Sequence, residues 1–254
     1  MSVLIDMCAV HTAHQFAVFV EQPLNDNLII INDPIIYHRI VRVLKYTIDE
    51  IVILFNKHNH VQARLISYTK KECTFKVIII EDNFPLSPPI VLGLPLLKGS
   101  DLDEAVSFAT QVGVSEIQLL LTDRSQRPFL FEIEQRRLMR IVIAASEQSK
   151  RFHIPMIHKP IPFAELREKY RSSIFFFGMR NGTKIATLLQ RDFMQKPNYS
   201  FVFMVGPEAD FSSREYEQLK QWQAQDICLG PTVLRSCTAA GIGVNYLRTF
   251  TYSV

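Results

Sequence analysis

The sequence predicts an α/β protein in which a small β-rich unit precedes a larger unit with a mostly parallel sheet. Short runs rich in Val, Ile and Phe recur through the first 82 residues, and turn-forming polar residues separate them. Beyond residue 90, apolar strand-like runs alternate with amphipathic helix patterns, which is the order of βαβ units. In the last third, two apolar runs stop at Gly206-Pro207 and Gly230-Pro231, and a helix pattern follows each. The carboxyl ends of parallel strands are where such sheets bind ligands.

The composition is that of a globular protein with one large core or two modest cores. Its 254 residues are 48% hydrophobic, and the formal net charge is only +3, so any nucleic-acid surface must be a local patch. Neither a signal segment nor an apolar stretch of about 18 residues is visible, so we expect a soluble, cytoplasmic protein. The cysteines form no C-x-x-C pair, which predicts neither a disulfide framework nor a metal site; they are Cys8, Cys73, Cys228 and Cys237.

The first 82 residues predict a small β-barrel with one inserted helix. The expected strands are rich in β-branched and aromatic residues, and they cover residues 17–20, 28–31, 50–55, 60–66 and 73–80. Between the second and third strands, Asp33 is a natural N-cap and Pro34 suits the first helical position. The apolar face of this helix is expected to comprise Ile36, Ile40, Val43 and Leu44.

Four cationic residues lie largely on the opposite side of this helix, namely His38, Arg39, Arg42 and Lys45. Such a cluster can contact a nucleic acid. It can equally solvate the outer face of an amphipathic helix, which is the usual role of a charge run. The sequence leaves both interpretations open.

The segment 81–89 is the best candidate for a linker. Its three prolines in nine residues can neither enter a central strand nor continue a helix. We therefore place the domain boundary here and expect domains at residues 1–82 and 83–254.

The second domain shows helix patterns with recognisable ends. Ser100 is expected to cap a helix that ends at Gly113. The stretch QRRLMRIVIAASEQSKRFHIPMI predicts a basic amphipathic helix with Leu138, Ile141, Val142 and Ala145 on one face, and the helix can contact phosphates or dock a partner subunit. Near the carboxyl terminus, Ser212 with Glu215 three residues later forms a capping box, which places the start of another helix.

Three glycines follow apolar strands in the last third of the chain. The run 173–177 is expected to end at Gly178, and Gly206 and Gly230 end the two later strands. Because glycine has no Cβ, the backbone amides of these loops can approach a nucleotide-like cofactor closely. Neither G-x-G-x-x-G nor the P-loop pattern is present, so a Rossmann dinucleotide site or a P-loop has no motif support.

The stretches GPEADFSSRE and LGPTVLRSCTA resemble the two signature loops of the ribosomal RNA small subunit methyltransferase E family, which belongs to the knotted SPOUT class. The family's usual loops are GPEGG, followed by Phe or Leu and Ser, and LGPRILRTETA. Four positions depart from them, namely Ala209, Asp210, Thr232 and Cys237. Further matches are Lys98, Ser115, Glu116, Arg124, Ser125 and the segment AASEQSKRFHIPMI around Arg151.

The resemblance implies a PUA-like β-barrel that binds RNA, followed by a SPOUT-type α/β domain with a C-terminal trefoil knot. It also implies a homodimer that uses S-adenosylmethionine to methylate N3 of one uridine in the small-subunit (16S) ribosomal RNA. The implied cofactor-binding residues are Phe177, Gly178, Val205, Gly206, Pro207, Leu229, Gly230, Pro231 and Leu234. The implied RNA contacts are His38, Arg39, Arg42, Lys45, Lys98, Arg124 and Arg151.

Two residues are carried over as catalytic candidates. Arg235 is suited to stabilise negative charge on a deprotonated uracil, although it can also be a structural arginine that caps loops of the knot. Glu208 is either a base or an anchor of the cofactor loop, and the anchor is favoured because it follows Pro207 in a turn. Asp210 either faces the positive sulfonium or caps the helix near Ser212.

Three hypotheses follow from the sequence. The first is an active ribosomal RNA methyltransferase. The second is an RNA-binding homologue that keeps the fold with weakened or lost catalysis, and the departures at Thr232, Cys237 and the lost glycine pair motivate it. The third, an unrelated α/β enzyme, has no motif of its own. Lys98 and Arg124 can also be ordinary surface cations.

Overall fold

A computed structural model describes residues 15–125, 130–188 and 199–252 of the chain. Cys8 and the rest of residues 1–14 lie outside the described residues. The α/β class is confirmed, because strands and helices alternate around a parallel sheet in the second half of the chain. The chain divides into two compact units, Met1–Asn83 and Phe84–Val254. None of the described helices combines the length and the apolar character that a membrane span requires.

The first unit contains a five-stranded sheet. Its strands are β1 Ala17–Phe19, β2 Leu28–Ile31, β3 Ile51–Phe55, β4 Asn59–Tyr68 and β5 Cys73–Asp82. Their spatial order is β1-β3-β4-β5-β2, and all pairs are antiparallel except the parallel pair β1 and β3. All five predicted strands are therefore confirmed, with ends that move by at most two residues. Closure of this sheet into a barrel stays a prediction.

The inserted helix begins where the sequence predicts and then widens. Helix α1 covers Pro34–His38, and Asp33 caps it because its Oδ1 accepts hydrogen bonds from two backbone amides at 2.9 Å each. The next five residues, Arg39–Val43, form a π-helical turn. This wider turn rotates Val43 out of the predicted apolar face, and the side chain is 61% exposed. Ile40 is fully buried as predicted.

The second unit is built on a six-stranded sheet. Its strands are β6 Ile90–Pro95, β7 Glu116–Leu121, β8 Met156–Pro162, β9 Ile174–Lys184, β10 Phe201–Met204 and β11 Gln225–Cys228. The spatial order is β11-β9-β10-β6-β7-β8, and every pair is parallel, as predicted. The chain first moves from β6 to one side and then to the other, which creates a topological switch point beside β6. The trefoil knot stays a prediction.

Helices cover both faces of this sheet. They are α2 Asp101–Gln111, α3 Phe131–Ser149, α4 Leu166–Lys169, α5 Ile185–Leu188, α6 Ser213–Gln221 and α7 Ser236–Tyr252. Helices α2, α3 and α7 share one buried cluster with Leu92 and Phe203. Helices α4 and α6 share another with Val91 and Val202, because successive residues of a strand point to opposite faces. Gly113, at φ +96°, ends the α2 region as predicted.

Strand β9 is longer than the sequence indicates. The predicted end at Gly178 is wrong, because β9 continues to Lys184. The pairing of β9 with β10 does stop at Phe177, but β11 pairs again beyond it. The register shifts between Asp226, opposite Phe177, and Ile227, opposite Thr183. Residues 178–182 are thus left out of the β11 ladder as a bulge, which the sequence pattern does not reveal.

Candidate active site

A cavity of about 780 Å³ lies at the bulge of β9 and beyond the carboxyl ends of β10 and β11. Three segments line it, namely the bulge inside β9 and the loops that follow β10 and β11. They contribute Gly178, Gly206 and Gly230 respectively, so the structure brings the three strand-end glycines together. The position agrees with the rule that parallel sheets bind ligands at this edge.

Most of the predicted cofactor-binding residues line this cavity. Those that do are Gly178, Val205, Gly206, Pro207, Leu229, Gly230 and Leu234. Phe177 and Pro231 do not. The ring of Phe177 is 7% exposed and packs edge-on against Tyr216, so it supports the cavity wall from behind. Pro231 is exposed outside the lining.

The glycines differ in what surrounds them. A Cβ added to Gly230 would meet no atom within 4 Å, so this backbone faces open space. A Cβ at Gly206 would lie 3.1 Å from the Asp210 Oδ1 atom, because the carboxylate of its own loop covers that residue. At Gly178, Leu229 Cδ1 would be 3.2 Å away. Gly230 is therefore the glycine that leaves the most room for a ligand.

Glu208 is tied to the backbone of a neighbouring loop. Its Oε1 accepts a hydrogen bond from the Lys98 amide at 2.7 Å. This bond links the loop after β10 to the segment before α2. The contact is what an anchor would make, and it occupies one of the oxygens that a general base would use. The side chain of Lys98 is exposed.

Arg235 lies at the cavity lining with a 68% exposed side chain. Its Nη1 is 3.4 Å from Asp101 Oδ1, and its Nη2 is 3.8 Å from Glu104 Oε2. Both carboxylates belong to the first turn of α2, so this helix orients the guanidinium at the cavity. The thiol of Cys237 joins these carboxylates in a group whose ligand atoms lie within 4.8 Å of one another. The nearby guanidinium already balances part of that negative charge.

The loop that contains Asp210 is fixed by several hydrogen bonds. Asp210 has φ +64°, a left-handed conformation that only Asn, Asp and Gly adopt readily. Its Oδ1 accepts from the Phe211 amide at 2.8 Å, and both carboxylate oxygens accept from the Tyr216 hydroxyl. Burial, followed by this bond to Asp210, raises the pKa of Tyr216 to about 12. The hydroxyl therefore keeps its proton at neutral pH.

Arg124 takes part in holding this loop. Its Nη1 donates to the Ala209 carbonyl and reaches the Asp210 carbonyl at 3.4 Å. The side chain stays exposed. The structure thus gives Arg124 a loop-holding role in addition to the RNA contact that the resemblance implies.

The predicted capping box is confirmed at the start of α6. Ser212 Oγ accepts from the Glu215 amide at 3.2 Å, and Glu215 Oε2 accepts from the Ser212 amide at 2.8 Å. Glu215 is 1% exposed, and its second oxygen accepts from the Asp123 amide at 2.9 Å. The Ser212 hydroxyl and the Arg214 guanidinium hold the pKa of Asp123 below its ordinary value. Ser212, and not Asp210, caps this helix.

Arg151 lies in the interior and not on an RNA-facing surface. It is 9% exposed, and its guanidinium donates to the carbonyls of Thr110 and Val114 near the end of α2. Burial, and then the neighbouring charge of Arg248, lowers the pKa of Arg151 to about 10. We therefore withdraw Arg151 from the expected RNA contacts. The amphipathic pattern of the α3 stretch did not reveal that Arg151, just after α3, packs against the end of α2.

Several lining residues were missed from the sequence. Met179, Arg180 and Asn181 belong to the bulge of β9, and Tyr216 lies on the first turns of α6. The pair of glycines at 178 and 182, close together in a strand-like run, is the signal that could have revealed the bulge. No local signal points to Tyr216, because only the folding of α6 against β9 brings it to the cavity.

Comparison with known proteins defines the class. A family model described as an RNA methyltransferase domain matches residues 85–247, and the chain belongs to this family. The relatives named ribosomal RNA small subunit methyltransferase E include one from Aquifex aeolicus, 26% identical over 92% of this chain and 99% of its own length. Another, from Rickettsia conorii, is 29% identical over 63% of this chain. The alignment spans 64% of that relative's length.

The fold is also found among solved structures. A ribosomal RNA small subunit methyltransferase E from Neisseria gonorrhoeae, bound to S-adenosyl methionine, superimposes with a TM-score of 0.77. It is 24% identical, and the match covers 93% of this chain and 98% of the other. At this identity, the likeness supports the fold.

Proposed function

We propose that the protein is an S-adenosylmethionine-dependent methyltransferase that methylates N3 of one uridine in the small-subunit (16S) ribosomal RNA. The observation that carries this proposal is the cavity at the β9 bulge and the carboxyl ends of β10 and β11, where both loops of family-like sequence meet. Membership of the RNA methyltransferase family and relatives named for small-subunit ribosomal RNA support the substrate class.

The cavity has the features that a cofactor of this kind needs. It combines apolar side chains such as Leu229 and Leu234 with exposed backbone at the strand-end glycines. No protein atom lies near the position that a Cβ of Gly230 would take, so a ligand can approach this backbone closely. When bound, the cofactor supplies an electrophilic methyl group on a cationic sulfur. The loops would hold it by backbone hydrogen bonds and apolar contact, so that the methyl group and the base are held in line.

Arg235 is proposed to stabilise the charge that develops on the uracil. The N3 proton passes to solvent before N3 attacks, and the negative charge then spreads over the two carbonyl oxygens. A guanidinium can donate to one of these oxygens from two nitrogens and leave N3 open to the methyl group, and Asp101 and Glu104 hold this one at the cavity. We assign Glu208 the role of loop anchor, because the Lys98 amide occupies one of its oxygens.

The remaining cations are proposed to bind RNA, and the protein is proposed to act as a homodimer in the cytoplasm. His38, Arg42 and Lys45 are exposed beside the π-helical turn of the first unit. Lys98 and Arg124 are exposed in the second unit, on loops bonded to the GPEAD loop. Light scattering of the purified protein tests the dimer, since a monomer mass would contradict it.

Mass spectrometry of ribosomal RNA from cells that lack the protein tests the reaction. We expect one methylated uridine to be missing from the small-subunit RNA and to return with the unmodified gene. A gene encoding Arg235→Ala should fail to restore it. An unchanged modification pattern would instead favour the RNA-binding homologue without catalysis.

A further inference from the structure

The Asp210 carboxylate occupies a position in the cavity wall where the related family usually has glycine. Two hydrogen bonds stabilise the left-handed backbone of Asp210. The Asp210 amide donates to the Pro207 carbonyl at 2.8 Å, and the Phe211 amide donates to Asp210 Oδ1. The Arg124 guanidinium holds the preceding carbonyl. The loop is thus built to hold this side chain in one place, although a glycine would adopt the backbone conformation without strain.

This carboxylate faces the same cavity as the glycine loops. Its Oδ1 covers the Cα of Gly206, and the Tyr216 hydroxyl donates to both oxygens at 2.9 and 3.0 Å. The ring of Tyr216 is in turn packed edge-on against Phe177 and Phe211. The carboxylate is therefore positioned by groups that are themselves fixed.

Of the three carboxylates in the lining, Asp101 is ion-paired, whereas Glu208 and Asp210 accept hydrogen bonds only from neutral groups, and Asp210 is the one with both oxygens held by a side chain of the lining. Asp101 pairs with Arg235, and Glu208 accepts a backbone hydrogen bond. The donors to the Asp210 carboxylate are a neutral amide and a neutral hydroxyl, whereas the Arg124 guanidinium bonds the backbone carbonyl of this residue. Within residues 15–125, 130–188 and 199–252 the carboxylate forms no ion pair. A negative charge that is held at a ligand cavity without a cationic partner attracts a cation.

We propose that Asp210 makes this cavity select the cationic sulfonium form of the cofactor over the neutral thioether that remains after methyl transfer. This inference rests on the proposed function. Both compounds share the adenosine, amino and carboxylate groups, and they differ in one methyl group and in the charge on sulfur. The negative charge of a carboxylate in the cavity wall strengthens binding of the cationic compound more than binding of the neutral one. Product release is thereby favoured over substrate release.

Calorimetry of the full-length protein with S-adenosylmethionine and with S-adenosylhomocysteine tests the proposal. Asp210→Asn and Asp210→Gly both remove the charge and both tolerate the left-handed backbone. Each should reduce the preference for the sulfonium compound about three- to tenfold, an effect the size of one partly exposed charge pair. Raising the salt concentration should shrink this difference between the variants and the unmodified protein. Glu217→Gln, which removes an exposed carboxylate of α6 outside the cavity lining, is the matched control and should leave the preference unchanged.

The possible results separate the two proposals. If both affinities fall by the same factor in Asp210→Asn and Asp210→Gly, the residue only supports the loop and the inference is overturned. An unchanged preference overturns it as well. If the unmodified protein binds neither compound, the proposed function fails, and the inference fails with it.

Discussion

At the scale of single residues, the site depends on the position of a few side chains and on one glycine. Arg235 is held by two carboxylates at the cavity, whereas Gly230 presents bare backbone to it. These two residues belong to the same loop, between β11 and α7, yet they are expected to affect different steps. Each can therefore be tested by a substitution that leaves the other intact.

Replacing Arg235 should slow the chemical step without preventing cofactor binding. For Arg235→Ala, we expect single-turnover methylation of small subunits to fall about 10²- to 10³-fold, the usual cost of losing one preorganised charge-stabilising group. Arg235→Lys should recover little, because an ammonium lacks the planar pair of N–H donors that a guanidinium presents. Arg171→Ala removes a similarly exposed, ion-paired arginine outside the cavity lining and serves as the control. Loss of cofactor binding in Arg235→Ala would show that its role is not catalytic.

Gly230→Val should obstruct the cofactor while the fold survives. The added side chain meets no protein atom near its Cβ, so we expect little change in the melting temperature and at least about a tenfold loss of cofactor affinity, or ~1.4 kcal/mol. Calorimetry and thermal unfolding measure the two effects. Gly243→Val is the contrasting variant, because its side chain would overlap the buried Phe203 ring and should destabilise the fold. Normal cofactor affinity in Gly230→Val would place the cofactor elsewhere.

At the scale of elements, α6 is connected to the rest of the site through its first turn. The buried Glu215 carboxylate closes the capping box and also accepts the Asp123 amide of the loop after β7. One side chain therefore satisfies backbone donors from two separate segments. The same helix carries Tyr216, so the capping box also determines where the hydroxyl that holds Asp210 lies.

Removing this carboxylate should destabilise the second unit. Glu215→Ala leaves two amides without their acceptor, and we expect the free energy of unfolding to fall by about 1–3 kcal/mol. Chemical denaturation measures the change. Glu217→Ala, in the same helix, breaks only an exposed pair with Lys220 and should alter stability by less than about 0.5 kcal/mol. If the two substitutions lower the free energy of unfolding equally, the buried hydrogen bonds of Glu215 add no more stability than an exposed ion pair.

At the scale of the whole molecule, the chain has a second surface that is expected to meet RNA. The π-helical turn of the first unit carries Arg39 and Arg42, and Arg42 is exposed. Because the net charge of the protein is only +3, a local cluster of this kind would have to supply much of the attraction for phosphates.

Replacing Arg39 and Arg42 together with Ala should weaken RNA binding and flatten its dependence on salt. Because binding releases fewer counterions when phosphate contacts are lost, the magnitude of the slope of log K against log salt should fall by about 1 to 2. Fluorescence titrations at several salt concentrations give this slope. The double substitution of Lys70 and Lys71 with Ala removes the same charge from an exposed turn of the same unit and is the control. If neither affinity nor slope moves, the cations only solvate the helix.

Much of the fold was predictable because its signals are local. The strands of the first unit, the Asp33 cap and the Ser212–Glu215 capping box each depend on residues within a few positions of one another. The parallel sheet was predictable from the alternation of strands and helices. The two Gly-Pro loops identified the site because their residues are neighbours in sequence as well as in space.

The sequence by itself therefore determined the class of the fold, most of the strand and helix starts, and the loops that form the cavity. Only the tertiary structure decided that Arg151 is buried, that β9 bulges beyond Gly178, and that Tyr216 holds Asp210. Burial and strand register depend on which distant segment packs against a residue. A periodic pattern records which side of an element is apolar, but it does not record what lies opposite, and these contacts join residues that are far apart or on different elements.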